Sequence, residues 1–227
     1  MLHNTFMKYH ISFDIEFKKN PYPGLFIALE GIDASGKSTQ ATLIKERLEK
    51  KGRAVLIKNP FEGEIGQFVR KILSGESKVP SITLQYLISA NRQVQQLEIV
   101  EQLKKGNDVI IDRYIWSAVA YGIFDKGADD IEKTSQWLLV EQSILSMYHQ
   151  FIMPNYNFYL DISPEIAVSR LSQMKKQHEI YEDEEKIKKI SEIYSWLIKK
   201  YKDQFVVING EQSEEKVTEE ILNSIKY

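Results

Sequence analysis

One stretch of this chain, LFIALEGIDASGKSTQ at residues 25–40, restricts the fold more than any other. The apolar run from Leu25 to Ile32 reads as a buried strand entering a glycine turn, and Leu43, Ile44 and Leu48 then take helical spacing up to Gly52. Between strand and helix, Gly31, Ile32, Asp33, Ala34, Ser35, Gly36, Lys37 and Ser38 match GxxxxGK[ST] at every position. Glycines there let successive backbone N–H groups curl round a polyphosphate, and the helix N-terminus adds positive potential. Lys37 then reaches the outer phosphates and the Ser38 hydroxyl ligates Mg²⁺. The expected ligand is ATP or GTP with Mg²⁺, bound by Gly31, Ala34, Ser35, Gly36, Lys37, Ser38 and Thr39. A GTPase switch would add an NKxD-type base reader and a DxxG turn downstream of Ser38, and neither is found.

The strand-then-helix pattern repeats. Residues 53–58 (RAVLIK), 109–112 (VIID), 157–162 (NFYLDI) and 204–209 (QFVVIN) read as further short strands. The clearest intervening helix runs from about Ile82 to Lys105, with Gly106 just past its end, and another spans about 186–202. Strands alternating with helices predict an α/β fold, a five-stranded parallel sheet flanked by helices. At 227 residues, with 43% hydrophobic and 27% charged, one such core is the expectation for 25–227. Thirty Lys plus Arg against 32 Asp plus Glu leave a formal charge of −2, too little positive field for a non-specific nucleic-acid binder. No apolar run approaches the roughly 20 residues of a membrane span. Cysteine is absent, which excludes disulfides and thiolate chemistry. His3, Lys8, His10, Asp14 and Glu16 break up any secretory h-region, so the expected location is cytoplasmic.

Residues 1–24 read as an extension. Tyr9, Ile11, Phe13, Ile15 and Phe17 alternate with His10, Ser12, Asp14 and Glu16 ahead of the turn NPYPG, which predicts an extra amphipathic strand seeking a sheet edge. The alternative is a leader upstream of Met7.

Asp112 ends the apolar run VII at the carboxyl end of a strand, where open α/β sheets place their ligands. There it holds Mg²⁺ or its waters, orients Arg113, or caps the next turn. Arg113 can aim a planar fork at a phosphate, or simply face solvent. Ile88 and Arg92 stand one helical turn apart, so an apolar wall and a cationic head can face a single pocket, although helix surfaces often carry such pairs.

Together, FIALEGIDASGKSTQ (26–40), LISANRQ (87–93), DRYIWSAVAY (112–121) and YLDISPEIAVSRL (159–171) resemble the successive signatures of thymidylate kinases, in order and spacing, from about residue 25 to the C-terminus. The resemblance implies the P-loop NTPase fold with a lid, here about 172–185, transfer of the γ-phosphoryl group from ATP to the 5′-phosphate of dTMP, and a homodimer. It implies that Asp33 is the carboxylate aimed at the acceptor's sugar and phosphate. Arg92 would read the thymine edge, Arg113 clamp the acceptor phosphate, and Tyr121 pack near sugar and base.

Three positions depart from the family pattern. Ile88 stands where many members stack a phenylalanine on thymine. The loop after the second strand, often REPGGT, reads KNPFEGEIG (58–66), with Lys58 its one cation toward the substrate. The transition-state arginine comes from the P-loop or the lid in the family, yet Ala34 fills the P-loop position and the lid carries Lys175 and Lys176 instead. Arg170, close by, reads as structural. The alternatives are another nucleoside monophosphate kinase, a deoxynucleoside kinase on the same fold with Glu62 as its base, and a weakly active nucleotide-binding protein.

Overall fold

A computed structural model describes residues 14–53, 55–58, 61–126, 133–173 and 183–226, leaving aside the side chains of 56–58 and 133–135. In chain order the first elements are β1 (Lys18–Lys19), β2 (Phe26–Glu30), α1 (Lys37–Lys50), β3 (Val55–Lys58), α2 (Gly63–Leu73) and α3 (Ser81–Lys104). Then follow β4 (Asp108–Asp112), α4 (Ile115–Asp125), α5 (Lys133–Met147), β5 (Ile152–Met153) and β6 (Tyr156–Asp161). The chain closes with α6 (Pro164–Gln173), α7 (Glu184–Lys200), a short 3₁₀ turn, β7 (Val206–Asn209) and α8 (Glu214–Ser224).

Five strands make one sheet in the order β3-β4-β2-β6-β7, every pair parallel. The sheet is buried on both faces because its residues point alternately to two cores. Phe26, Ala28, Val109, Ile111 and Tyr159 face one side, where α2, α3, α4 and α7 add Val69, Ile99, Val119 and Ile190. Ile27, Leu29, Ile110, Phe158 and Leu160 face the other, covered by Ile44 and Leu48 of α1 and Ile221 of α8. The expected α/β architecture is therefore the observed one.

Long helix α3 ends as its sequence predicts: Gly106 takes φ 82°, a left-handed conformation, just beyond Lys105. The helix expected at 186–202 forms two residues earlier, where Asp183 caps it by accepting from the Glu185 N–H.

The N-terminal expectation is corrected in register. Residues 9–13 lie outside the described residues, and 14–17 are not strand. Pairing falls instead on Lys18–Lys19, which align in parallel with Ile152–Met153 in a separate two-stranded sheet. The alternation survives as burial, with Ile15 and Phe17 packed on the core while Asp14 and Glu16 are exposed. The partner strand is fixed from beneath: Gln96 donates to the Tyr114 hydroxyl (2.6 Å), Tyr114 donates to the Ile152 carbonyl (3.1 Å), and the Ile152 N–H donates to Gln96 Oε1 (3.1 Å). Lid residues 174–182, and with them Lys175 and Lys176, lie outside the described residues.

Candidate active site

The loop between β2 and α1 has the backbone its glycines permit. Gly31 takes φ 145° and Gly36 φ 95°, and a Cβ on Gly31 would stand 2.9 Å from the Leu160 carbonyl oxygen. Ala34 also adopts a left-handed φ of 59°. Lys37 is 5% exposed and folds back over the loop, donating to the Ile32 carbonyl at 2.6 Å and to Ser35 Oγ at 3.0 Å. Burial and the neighbouring Arg113 charge push its ammonium down to about 8, against the pull of Asp112, Asp33 and Glu30.

Ser38 and Asp112, the two residues expected at a metal, lie against each other. The Ser38 hydroxyl donates to Asp112 Oδ2 at 2.5 Å, which joins the start of α1 to the end of β4. The other oxygen, Asp112 Oδ1, is buried without a hydrogen-bond partner. An orphaned carboxylate oxygen beside a hydroxyl is a hard-donor pair of the kind that binds Mg²⁺ through one or two protein ligands and leaves the rest to phosphates and water. The residues therefore fit that ion.

Next to Asp112, Arg113 holds φ 67°, which turns its side chain back toward the phosphate loop. Its guanidinium donates to the Asp33 carboxylate and, at 3.1 Å, to the Gly31 carbonyl. It also lies 4.8 Å from the Tyr121 ring centre, and the Tyr121 hydroxyl donates to Asp33 Oδ2 at 2.7 Å. Burial alone would push the Asp33 carboxyl up, but the charges of Arg113 and Lys37, with the two hydrogen bonds, hold it below its ordinary value. From α3, Arg92 donates to the Arg113 carbonyl at 2.9 Å and is 3% exposed.

These groups wall a cavity of about 60 Å³ that also takes in Ile88, Leu73, Ala118 and Gln85. Asp33, Ile88, Arg92, Arg113 and Tyr121, five of the six side chains expected around an acceptor nucleotide, are thus brought together. Lys58 ends β3, and its side chain is outside the description. Phe61, Leu73, Gln85, Ser117 and Ala118 also line the cavity and had no site reading in the sequence. Phe61, held by its carbonyl accepting from Arg70 Nε (3.1 Å), puts an aromatic ring into the pocket whose Ile88 has none. Gln85 enters from the turn of α3 before Ile88. Glu62 precedes α2 and is not among the residues lining the cavity.

A second cavity, about 360 Å³, opens on the other side of the loop against Ala34, Ser35, Gly36, Thr39, Gly210 and Gln212. Arg170 lines it too. Its guanidinium donates to the Ala34 carbonyl (3.2 Å) and the Gly210 carbonyl (3.0 Å). The structural reading of Arg170 holds, and the same bonds set it in the wall of the cavity beside the phosphate loop. Its position nine residues past the β6 terminus at Asp161 was the one available signal.

Glu30 is fully buried at the end of β2, accepting from the Tyr114 N–H (3.0 Å), the Ser117 hydroxyl and the Tyr194 hydroxyl (3.2 Å). Burial pushes its carboxyl above the ordinary value despite those donors and the Arg92 charge.

A phosphate loop with an Mg²⁺-type donor pair, facing a cavity lined by Arg92, Arg113 and Ile88 near the carboxyl ends of parallel strands, is the arrangement of a P-loop kinase of nucleotides. Comparison with known proteins narrows the class. The thymidylate kinase family model matches residues 29–221. The chain is 33% identical over 192 residues to the thymidylate kinase of Caldanaerobacter subterraneus (83% of this chain, 88% of the relative). It is 35% identical over 206 residues to that of Plasmodium falciparum (89% and 90%). The solved structure of thymidylate kinase from Candida albicans superposes with a TM-score of 0.74 at 24% identity, covering 88% of this chain and 90% of that one. The chain belongs to the thymidylate kinase family, a family of nucleoside monophosphate kinases.

Proposed function

We infer that the site transfers the γ-phosphoryl group of ATP to the 5′-phosphate of dTMP, giving ADP and dTDP, the activity of the family to which the chain belongs. The observation that carries this reading is the Asp33–Arg113–Tyr121 cluster, which sets a guanidinium and a phenol beside the phosphate loop in a pocket with Arg92. An acceptor phosphate oxygen is already anionic, so the reaction needs positioning and charge neutralisation rather than a general base. That oxygen attacks the γ-phosphorus in line, and the bond from the γ-phosphorus to the β-bridging oxygen breaks.

In this reading Lys37 exchanges its contacts to the Ile32 carbonyl and Ser35 for β- and γ-phosphate oxygens. Arg113 clamps the acceptor phosphate with one edge while Asp33 and Gly31 hold the rest of the guanidinium. Ser38 and Asp112 hold Mg²⁺, which supplies charge neutralisation on the donor phosphates when bound. Ile88, Arg92 and Tyr121 take the base and sugar, and the second cavity beside Thr39 and Arg170 receives the donor nucleotide.

The transition-state cation we assign to Lys175 or Lys176, since the 172–185 segment contains no arginine and Ala34 has no charge. Arginine placed at the acting position raises kcat, and no change at either position removes the assignment. We propose a cytoplasmic homodimer. Ile82, Tyr86, Val94 and Leu97 expose one apolar stripe along α3, Leu97 at 73%, and a second copy of the chain is the occupant that fits a self-complementary helix face.

The test is ADP formation with ATP, Mg²⁺ and, separately, dTMP, dUMP, dCMP, UMP and thymidine. Selective turnover of dTMP is the expected result. Preference for another monophosphate would move the substrate, and turnover of thymidine alone would contradict the reading.

A further inference from the structure

The acceptor cavity contains few polar groups that are not already engaged. Asp33, Arg113 and Tyr121 are tied to one another, and the Ser117 hydroxyl is shared between Glu30 and Tyr194. Ala118 has no polar side-chain atom. Among the lining residues, two buried side-chain atoms have no hydrogen-bond partner: Arg92 Nε and Gln85 Nε2. A buried donor without a partner costs free energy that a ligand can recover.

Gln85 is 6% exposed and stands three residues before Ile88 and seven before Arg92, so all three lie on one face of α3 with Ile88 in the middle. The facing position on α4 is Gly122, where a Cβ would come within 3.2 Å of Gln85 Oε1 and 2.3 Å of Ile144 Cδ1. A side chain at 122 would therefore crowd the carboxamide, and glycine leaves it seated.

We propose that Gln85 reads the acceptor base: its carboxamide hydrogen-bonds a carbonyl oxygen on the pyrimidine ring, across Ile88 from Arg92. The proposal rests on the dTMP reading above. An imide base presents two carbonyls flanking one N–H, so an arginine and a carboxamide can share its edge. A carboxamide offers both a donor and an acceptor, so Gln85 supplies base affinity, while the donor-only Arg92 rejects a ring bearing an amino group at that edge. This second hydrogen bond compensates for the aromatic face that Ile88 lacks.

The experiment compares wild type with Gln85→Met and Gln85→Leu, which keep the bulk and remove the amide. The readouts are dTMP affinity, KM for ATP, and inhibition by 2-deoxyribose 5-phosphate, an acceptor without its base. The proposal predicts that dTMP affinity falls about tenfold, the loss of one hydrogen bond. Binding of 2-deoxyribose 5-phosphate and KM for ATP stay unchanged, and the ligand-free melting temperature is unchanged or higher because an unpartnered buried donor is gone. Unchanged dTMP affinity in either folded variant overturns the proposal, as does parallel weakening of dTMP and the abasic phosphate, which marks a purely structural role. Wild-type protein that fails to bind dTMP contradicts the reading beneath it, and is seen before any variant is measured.

Discussion

The Arg113 guanidinium donates to the Asp33 carboxylate, so the end of β4 is locked to the phosphate loop by a pair 80 residues apart in the chain. Both side chains are largely buried, at 16% and 21% exposure, and Asp33 also accepts from Tyr121. The pair holds the guanidinium in place before any substrate arrives, which is how an enzyme avoids reorganisation during the reaction. Arg113→Ala is expected to lower kcat/KM for dTMP by about two to three orders of magnitude. Arg113→Lys should fall in between, since it keeps the charge and loses the fork. Steady-state kinetics with saturating ATP check this, and a loss confined to KM for ATP would place Arg113 on the wrong substrate.

Asp112 has one oxygen on Ser38 and one unpartnered. Asp112→Asn should raise the Mg²⁺ concentration for half-maximal rate about tenfold or more, while nucleotide affinity measured in EDTA changes little. Removal of Mg²⁺ from wild type should abolish turnover. A Mg²⁺ titration identical to wild type would leave Asp112 as a strand-end cap alone.

Glu30 gives a pH prediction whose sign follows from its burial. Its carboxyl titrates above the ordinary 4.5 in the folded chain, so the native state holds that proton to higher pH than the unfolded state does. Its contribution to stability therefore falls as pH rises from 4.5 through the folded value. Glu30→Gln keeps an acceptor for the Tyr114 N–H and removes the ionisation. The melting temperature of the variant relative to wild type should climb as pH rises above 4.5. A pH-independent difference would show that burial does not govern this carboxyl.

The apolar stripe on α3 predicts a charge-sensitive oligomer. Leu97→Glu should convert a sedimenting dimer to monomer while leaving the fold intact, because Leu97 is 73% exposed and contributes little to the chain's own core. A wild type that sediments as a monomer would remove the homodimer proposal.

How much of this was legible beforehand depends on how local the information is. The phosphate loop is a contiguous motif whose glycines and Lys37 do their work within eight residues, so spacing was enough. The ends of α3 and the buried strands followed from periodicity, because burial on both faces demands the apolar runs that were read. Family resemblance grouped Asp33, Arg92, Arg113 and Tyr121, and the structure sets all four around one cavity. Phe61, Gln85 and Arg170 were missed or taken as structural because each reaches its cavity only through tertiary packing: a loop carbonyl held by Arg70, a helix turn facing Gly122, two carbonyls from distant segments. The pairing at Lys18–Lys19 went unread for a related reason. Ile15 and Phe17 do point inward, but pairing was decided by the two-residue partner at Ile152–Met153, which no sequence pattern announces.

The most direct test follows the phosphate itself. With γ-labelled ATP, Mg²⁺ and dTMP, the label should appear at the β-position of dTDP in wild type, and Lys37→Ala should slow that transfer by at least about a thousandfold. Label released as inorganic phosphate with dTMP unchanged, or transfer that persists at the wild-type rate in Lys37→Ala, would contradict the account.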